Sequence, residues 1–271
     1  VIIEVFMYML HGWLGDPVVP GWITPTLPFT LAYLNGFEKG PERIQAMIAL
    51  QLLVAFVFIF MGITKLADKF VNGVPNSIKG GILIAAPITV LQGQLSDGSQ
   101  LMTAPIATLA GTLLLAFLSF SPFCEKNRDK YKILDVMAKY GNLFPYLVAM
   151  LAGVALGELS KPVLELGTVI RIPDFSNIFH TVSIFAVGFP PISKFISALP
   201  LALICYVLAF GDFVTSKTLV AEAQESRSDE YIDFNSSRSN LISGLRNLIL
   251  AIFAPFPPLA GPLWVGMTVS V

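Results

Sequence analysis

Apolar runs long enough to cross a bilayer alternate with short polar connections along this chain. A spanning helix needs ~20 mainly apolar residues, because the hydrocarbon core is about 30 Å thick and each helical residue rises about 1.5 Å. The pattern predicts six such segments, at residues 44–63, 78–95, 101–122, 141–158, 195–216 and 239–255. Residues 1–14 are predicted to end an earlier span. We therefore expect an all-α polytopic membrane protein.

Two further apolar stretches, residues 20–34 and 255–267, are interrupted by prolines. Proline removes an amide donor and disfavours helix in the residue before it, so we expect extended backbone before Pro28 and helix after it. Irregular backbone at membrane depth persists only where it is buried in protein or lines a wet cavity. The stretches are thus predicted to be broken helices inside the membrane. Ordinary loops between helices remain the alternative.

The six predicted segments lie between the two broken stretches, so the predicted repeat contains seven elements. An odd repeat places its second copy upside down in the bilayer, as in many secondary transporters, where matching interrupted helices mark the substrate site. The order of segments therefore predicts a seven-plus-seven inverted repeat. Because the chain opens on Val1 and ends within a segment, we expect it to be part of a longer protein, truncated at both ends.

Composition and charge narrow the classes of function. Hydrophobic residues make up 55% of the chain and charged residues only 13%, against about 25% charged in a soluble domain. The net charge of −1 provides no basic surface for nucleic acid. Lysine and arginine cluster at 64–79 and 121–140 and are absent from 92–100, which places the first two connections in the cytoplasm. Connection 217–238 is expected on the same side, and 159–193 on the outer side.

The residue types give little support for a metal site or for enzymatic activity. The two cysteines share no ligand spacing, and the two histidines form no zinc motif. No nucleophile and base stand at a plausible spacing. We expect no metal, no cofactor other than a coupling ion, and no enzymatic activity.

Asp212 is the candidate ionisable group, because it falls inside an apolar run of membrane length. A charge at bilayer depth costs at least ~2.5–3.5 kcal/mol unless something compensates it. Helical spacing places Thr215 and Ser216 on the same face as Asp212, and three oxygen donors suit Na⁺ or a proton relay. A structural carboxylate that bonds a neighbouring helix is the alternative. Arg246, near the end of its segment, is expected to extend towards the interface rather than pair with a buried carboxylate.

The broken stretches supply the complement to Asp212. A helix that starts in mid-membrane presents free N–H groups and about +0.5 of an elementary charge at its N-terminus, which attracts anions. Two such termini, after Pro28 and after Pro258, are predicted to hold an anion without lysine or arginine. A role in filling the bend is the alternative. The candidate substrate-binding residues are Asp212 and, in the two stretches, Thr24, Thr26, Pro28, Phe29, Thr30, Pro258, Leu259, Ala260 and Gly261.

Several motifs resemble two related permease families, the sulfate permeases and the uracil/xanthine permeases, which share a seven-plus-seven inverted-repeat fold. The similarity is densest from residue 203 onward. It is carried by residues 212–224, by YIDFN at 231–235, ISGLRN at 242–247 and FPPLAG at 256–261, and earlier by VPNSIKGG at 74–81.

The resemblance implies that residues 20–34 are the third helix and 255–267 the tenth, each beginning with a short strand, and that Asp212 is the acidic residue of the eighth. It also implies a transport core at 1–73 and 195–271, the first half of a gate domain at 74–161, and an outer linker with interfacial pieces at 162–194.

The substrate stays open among small anions. The tenth-helix stretch lacks the second carboxylate of nucleobase permeases, which favours an anion, and Gly261 is not followed by the Ser-Arg pair of sulfate permeases.

We predict a secondary-active permease for a small anion, coupled to Na⁺ or H⁺ and working by alternating access. Asp212, Thr215 and Ser216 are predicted to bind the coupling ion. A nucleobase permease and a passive anion channel of the same fold are the alternatives. The expected surroundings are the lipid bilayer, as a multi-pass protein of the bacterial inner membrane, with a homodimer left open as its assembly and no nucleic-acid partner.

Overall fold

The structure is a computed structural model that describes residues 2–73, scattered positions between 75 and 95, and residues 98–128, 130–140, 143–160, 179–226 and 231–262. Most of the predicted span 78–95 and much of the predicted linker 162–194 lie outside these residues. The described chain is mostly helical.

Twelve α-helices and two short strands have defined bounds within the described residues. They are α1 (Ile2–Trp13), β1 (Gly21–Trp22), α2 (Leu27–Asn35), α3 (Pro41–Ile63), α4 (Leu66–Gly73), α5 (Gln100–Thr103), α6 (Pro105–Phe120), α7 (Pro122–Asn127), α8 (Lys132–Lys139), α9 (Leu143–Ala155), α10 (Ile184–Val187), α11 (Ile192–Ser226), α12 (Ser236–Phe253) and β2 (Leu259–Ala260).

The chain divides into two compact units. One comprises residues 1–82 and 172–269, and the other consists mainly of residues 83–171. The roles of transport core and gate that the sequence assigns to its parts stay predictions.

The first unit is built around α3, α11 and α12. Aromatic rings fill its core: the Phe58 ring lies 6.0 Å from that of Phe213, which lies 6.3 Å from that of Phe234. Helices α3 and α12 approach so closely that a Cβ on Gly244 would stand 2.9 Å from the backbone nitrogen of Ile59. A tight α3–α12 pair therefore forms the framework that carries the strands.

Helix α11 is longer than the sequence predicts. The predicted segment ends at residue 216 and is followed by a polar loop, yet the helix continues to Ser226. The reason lies in the composition of the extension, where alanine, glutamate and glutamine make up half of the residues and favour helix even where the chain is polar. The predicted loop 217–238 is therefore wrong over its first ten residues.

The second unit pairs α6 with α9 through small residues. A Cβ on Gly111 would stand 2.9 Å from that of Ala149, and a Cβ on Gly153 would stand 2.9 Å from that of Ala107. The predicted segment 101–122 is interrupted before Pro105, where Ala104 takes a non-helical conformation, because a residue before proline disfavours helix.

Two helices of the described chain are both long and apolar enough to cross a membrane. They are α3 and α11 over Ile192–Glu225, in which an 18-residue window has a mean hydropathy of 2.6 and 2.0, respectively. Helices α6 and α9 are apolar but shorter. The six predicted spans are thus represented by two full-length ones among the described residues, and the inverted repeat stays a prediction.

Candidate functional site

The two broken stretches meet in a two-stranded antiparallel sheet. Gly21 is opposite Ala260, and Trp22 is opposite Leu259. The Ile23 amide extends the pairing by donating to the carbonyl of Pro258 over 3.0 Å. Segments from opposite ends of the chain are therefore joined through their backbones.

The first stretch is less extended than predicted. Only Gly21–Trp22 forms a strand; Thr24–Thr26 is a 3₁₀ turn, and α2 begins at Leu27, one residue before Pro28. Proline fits there because the first turn of a helix has amides without helical acceptors, so losing one costs little. The prediction of extended backbone up to Pro28 is wrong over this turn.

The polar side chains of the first stretch differ in their surroundings. Thr26 is buried and donates to the Ile23 carbonyl over 2.6 Å. Thr30 is also buried, and its hydroxyl has no hydrogen-bond partner in the described part of the chain. Thr24 and Phe29 are exposed. No side-chain hydrogen bond caps the N-terminus of α2, but the Leu27 amide donates to the Thr24 carbonyl of the preceding turn, and Pro28 has no amide hydrogen.

Helix α12 holds the second stretch through side-chain amide and hydroxyl groups. The Asn247 Nδ2 donates to the Leu259 carbonyl over 2.7 Å, and the Leu259 amide donates to Asn247 Oδ1 over 3.1 Å. The Gly261 amide donates to Ser243 Oγ over 2.9 Å. Asn247 thus provides β2 with the hydrogen bonds that a third strand would otherwise provide.

A second side chain secures the segment before β2. Gln51, buried on α3, accepts the Phe256 amide over 2.9 Å. The Phe256 ring lies 5.6 Å from the ring of Trp22 on the opposing strand. Both broken stretches are therefore fixed to the α3–α12 pair.

Asp212, Thr215 and Ser216 lie together on α11, as their spacing predicts. Of the three, only Ser216 forms a hydrogen bond to the second broken stretch among the described residues. Ser216 is buried and donates to the Pro262 carbonyl over 3.3 Å. Asp212 and Thr215 are partly buried. Within the described ranges Asp212 makes no hydrogen bond or ion pair with either strand.

The structure reveals a buried pair that sequence reasoning missed. His11 Nδ1 lies 2.7 Å from Asp16 Oδ2, and both side chains are buried at the end of α1. The imidazole faces β2: a Cβ on Gly261 would stand 2.5 Å from His11 Cε1 and 2.7 Å from Ser239 Oγ. The spacing of five residues between His11 and Asp16 carries no recognisable motif, so only the tertiary structure identifies the pair.

Arg246 is buried, which corrects the prediction that it extends to the membrane interface. Its side chain is fully inaccessible, and its guanidinium lies 4.4 Å from the centre of the Tyr8 ring. The reason is that α12 is enclosed by α1 and α3, so the side chain has no route outward. A guanidinium over an aromatic face gains a cation–π interaction.

The predicted half-helix after Pro258 falls on residues 263–267, which lie outside the described residues. No group of three or more histidine, cysteine, aspartate or glutamate side chains in the described part of the chain could hold a metal ion. The site therefore consists of backbone, amide and hydroxyl groups, and the face of α11 that carries the Asp212 carboxylate lies beside it.

No family model and no curated protein matches this chain.

Proposed function

We propose that the chain is a secondary-active permease that moves a small anion across a membrane by alternating access. One observation carries the proposal: two apolar, proline-broken stretches pair as β1 and β2 within the unit that contains α3 and α11. Strand pairing satisfies the backbone groups of non-helical segments, which is what irregular backbone at membrane depth requires. Such interruptions mark substrate sites in secondary transporters.

The surface of α11 supports a place in the bilayer. Its exposed side chains form an apolar stripe at helical spacing, comprising Ile192, Ile196, Leu199, Leu203 and Val207. Contiguous apolar surface of this kind marks a protein or membrane contact in the structures of soluble and membrane proteins alike. Together with the length of α3, this favours an integral membrane protein.

The surroundings of α2 favour an anion as the solute. Thr30, in the first turns of this helix, offers a buried hydroxyl without a hydrogen-bond partner among the described residues. Helix N-termini and hydroxyl donors both stabilise negative charge. We assign direct contact with the anion to this side of the strand pair.

The described residues of the second stretch act by positioning. The amides of Leu259 and Gly261 already donate to Asn247 and Ser243, so they are not available to a solute. The coupling ion, Na⁺ or H⁺, is assigned to Asp212 with Thr215 and Ser216, because Ser216 connects that helix face to Pro262 of the second stretch.

The finer features are also proposals. They are the sulfate-permease-like inverted repeat, the division into core and gate, the homodimer and the multi-pass location in a bacterial inner membrane.

Thermal stabilisation of the purified protein tests the solute, with sulfate, chloride, bicarbonate, uracil and xanthine as probes, each with and without Na⁺. A bound solute stabilises by about 2.7 kcal/mol at a hundredfold excess over its dissociation constant. We expect an anion to raise the unfolding temperature. Stabilisation by a nucleobase alone contradicts the anion assignment. In proteoliposomes, anion flux that never exceeds equilibration under an imposed ion gradient identifies a channel instead.

A further inference from the structure

An open cleft beside the start of α3 is not part of the proposed transport site. Its volume is about 350 Å³, within the range of about 300–1,000 Å³ that small-molecule sites occupy. The walls come from the end of α2, the first turns of α3, the segment before α10 and the residues that follow α12. All of these belong to the first unit, so the cleft is a feature of one compact body.

Apolar side chains form most of the wall. They are those of Leu34, Ile44, Met47, Val182, Pro255 and Phe256. Phe256 is held in place, because its amide donates to Gln51 and its ring lies 5.6 Å from that of Trp22. A hydrocarbon group placed against this wall would leave water, and its binding would be stabilised in proportion to the apolar area buried.

Both charged residues of the wall are cations, Lys39 and Arg43. Neither forms an ion pair within the described ranges. The Nη2 of Arg43 donates to the Phe37 carbonyl over 2.9 Å, which uses one of the five N–H groups of a guanidinium. The Nε of Arg43 is buried without a hydrogen-bond partner among the described residues. The protein therefore satisfies this guanidinium only in part.

The carboxylates next to these cations in sequence do not line the cleft. Glu42 Oε1 lies 3.7 Å from the Nζ of Lys194, and Glu42 Oε2 accepts the Glu38 amide over 3.2 Å. Lys194 is itself buried and also donates to the Glu42 carbonyl over 2.7 Å. The Glu42 charge is thus directed to Lys194, and the wall of the cleft supplies no counter-charge of its own.

The cleft lies where a helix of membrane length begins. Helix α3 is one of the two described helices that are long and apolar enough to cross a membrane, and Arg43 lies in its first turn. The first turn of a spanning helix lies at the boundary of the hydrocarbon core, next to the lipid head groups. An anionic phospholipid presents phosphate oxygens at this boundary and its acyl chains below it.

We propose that this cleft binds one anionic phospholipid. Lys39 and Arg43 hold the phosphate, since a guanidinium forms paired hydrogen bonds to phosphate oxygens, and the apolar wall holds the upper part of an acyl chain. Basic pockets beside spanning helices recognise anionic lipids in this way. The inference rests on the membrane location in the proposed function but not on transport. The lipid effect is therefore expected even if no solute is transported, and its absence leaves the permease standing.

The first test compares the full-length protein in nanodiscs of phosphatidylcholine alone and in nanodiscs that also contain phosphatidylglycerol. We expect phosphatidylglycerol to raise the unfolding temperature by a few degrees, because a ligand that binds only the folded state stabilises it. Lys39→Glu reverses one charge of the cleft at an exposed position, and it is expected to remove most of this rise. Arg43→Gln is expected to do the same.

The chain offers a matched control in Lys69, an exposed lysine on α4 that does not line the cleft. Lys69→Glu makes the same charge change and should keep the full effect of phosphatidylglycerol. An equal rise in the Lys39→Glu and Lys69→Glu proteins would mean that the charge of the bilayer, and not the cleft, is responsible, and it overturns the proposal.

A soluble ligand is distinguished with hexyl phosphate, added to the protein in nanodiscs of phosphatidylcholine. Stabilisation by hexyl phosphate that Lys39→Glu removes, combined with no effect of phosphatidylglycerol, replaces the lipid with a soluble organic anion.

A second measurement does not depend on any variant. Phosphatidylglycerol with a photoactivatable diazirine in its acyl chain is incorporated into the nanodiscs, and the labelled peptides are identified by mass spectrometry after illumination. We expect the label on residues of the apolar wall, in the peptides that contain Ile44 and Met47 or Pro255 and Phe256. Labelling elsewhere on the protein with none in these peptides overturns the site.

Discussion

Asn247 bonds both backbone polar groups of Leu259, donating from Nδ2 to the carbonyl over 2.7 Å and accepting the amide at Oδ1 over 3.1 Å. A strand of two residues has few backbone partners of its own, and Leu259 is wholly buried. One side chain on α12 therefore completes the hydrogen bonding of β2 and ties the strand to the helix framework.

Replacing Asn247 with leucine is expected to destabilise the first unit by about 2–4 kcal/mol, because it leaves the amide and the carbonyl of Leu259 without partners in a buried place. Chemical unfolding measures the change. Asn72→Leu alters an exposed asparagine on α4 and should be nearly neutral. Equal stability of the two variants contradicts the role assigned to Asn247.

Replacing Gly261 with alanine is expected to weaken solute binding and to destabilise the protein by about 1–3 kcal/mol through overpacking. The new methyl group would stand 2.5 Å from His11 Cε1, so either the imidazole or β2 must move. Anion-induced thermal stabilisation reports the first effect and the unfolding temperature reports the second. Gly12→Ala, on α1 with open space around it, serves as the control and should change neither.

Asp212→Asn is expected to abolish gradient-driven anion uptake in proteoliposomes while leaving the unfolding temperature nearly unchanged. The amide keeps the shape of the side chain but removes the negative charge that an ion requires. Asp135→Asn, at an exposed position of α8, should transport normally. Normal coupled uptake by the Asp212 variant would remove that residue from the ion site.

Gly111→Val is expected to destabilise the second unit by about 1–3 kcal/mol. The residue faces the Ala149 side chain and the Pro145 carbonyl, at 2.9 and 3.0 Å from the position of its missing Cβ. Ala116→Val adds volume to an exposed position of the same helix and should have a small effect. Circular dichroism during unfolding compares the two variants, and similar stabilities would show that α6 and α9 do not depend on close contact.

Local sequence predicts part of this fold. Residues 44–63 predict α3 well, because an apolar run of this length forms a helix. The prolines of the two stretches correctly indicate that the helices there are broken. The extension of α11 to Ser226 is missed because polarity is taken as a sign of a loop, whereas helix propensity decides the conformation there.

Contacts between distant segments cannot be predicted from local patterns. Nothing near Asn247 indicates that its amide completes β2, and nothing near His11 indicates that its ring lies against Gly261. The prediction for Arg246 is wrong for the same reason. Its position in a short segment is visible in the sequence, while the enclosure of that segment by α1 and α3 is not.

The start of α6 has a further consequence for measurements of binding. The carboxylate of Glu158 accepts the amides of Ile106 and Ala107, each over 2.8 Å, so this helix N-terminus already has an anion supplied by the chain itself. Dissolved anions must displace a tethered competitor to bind there. In a saturation experiment, the bound anion should therefore be the anion held at the strand junction, with none bound at the N-terminus of α6.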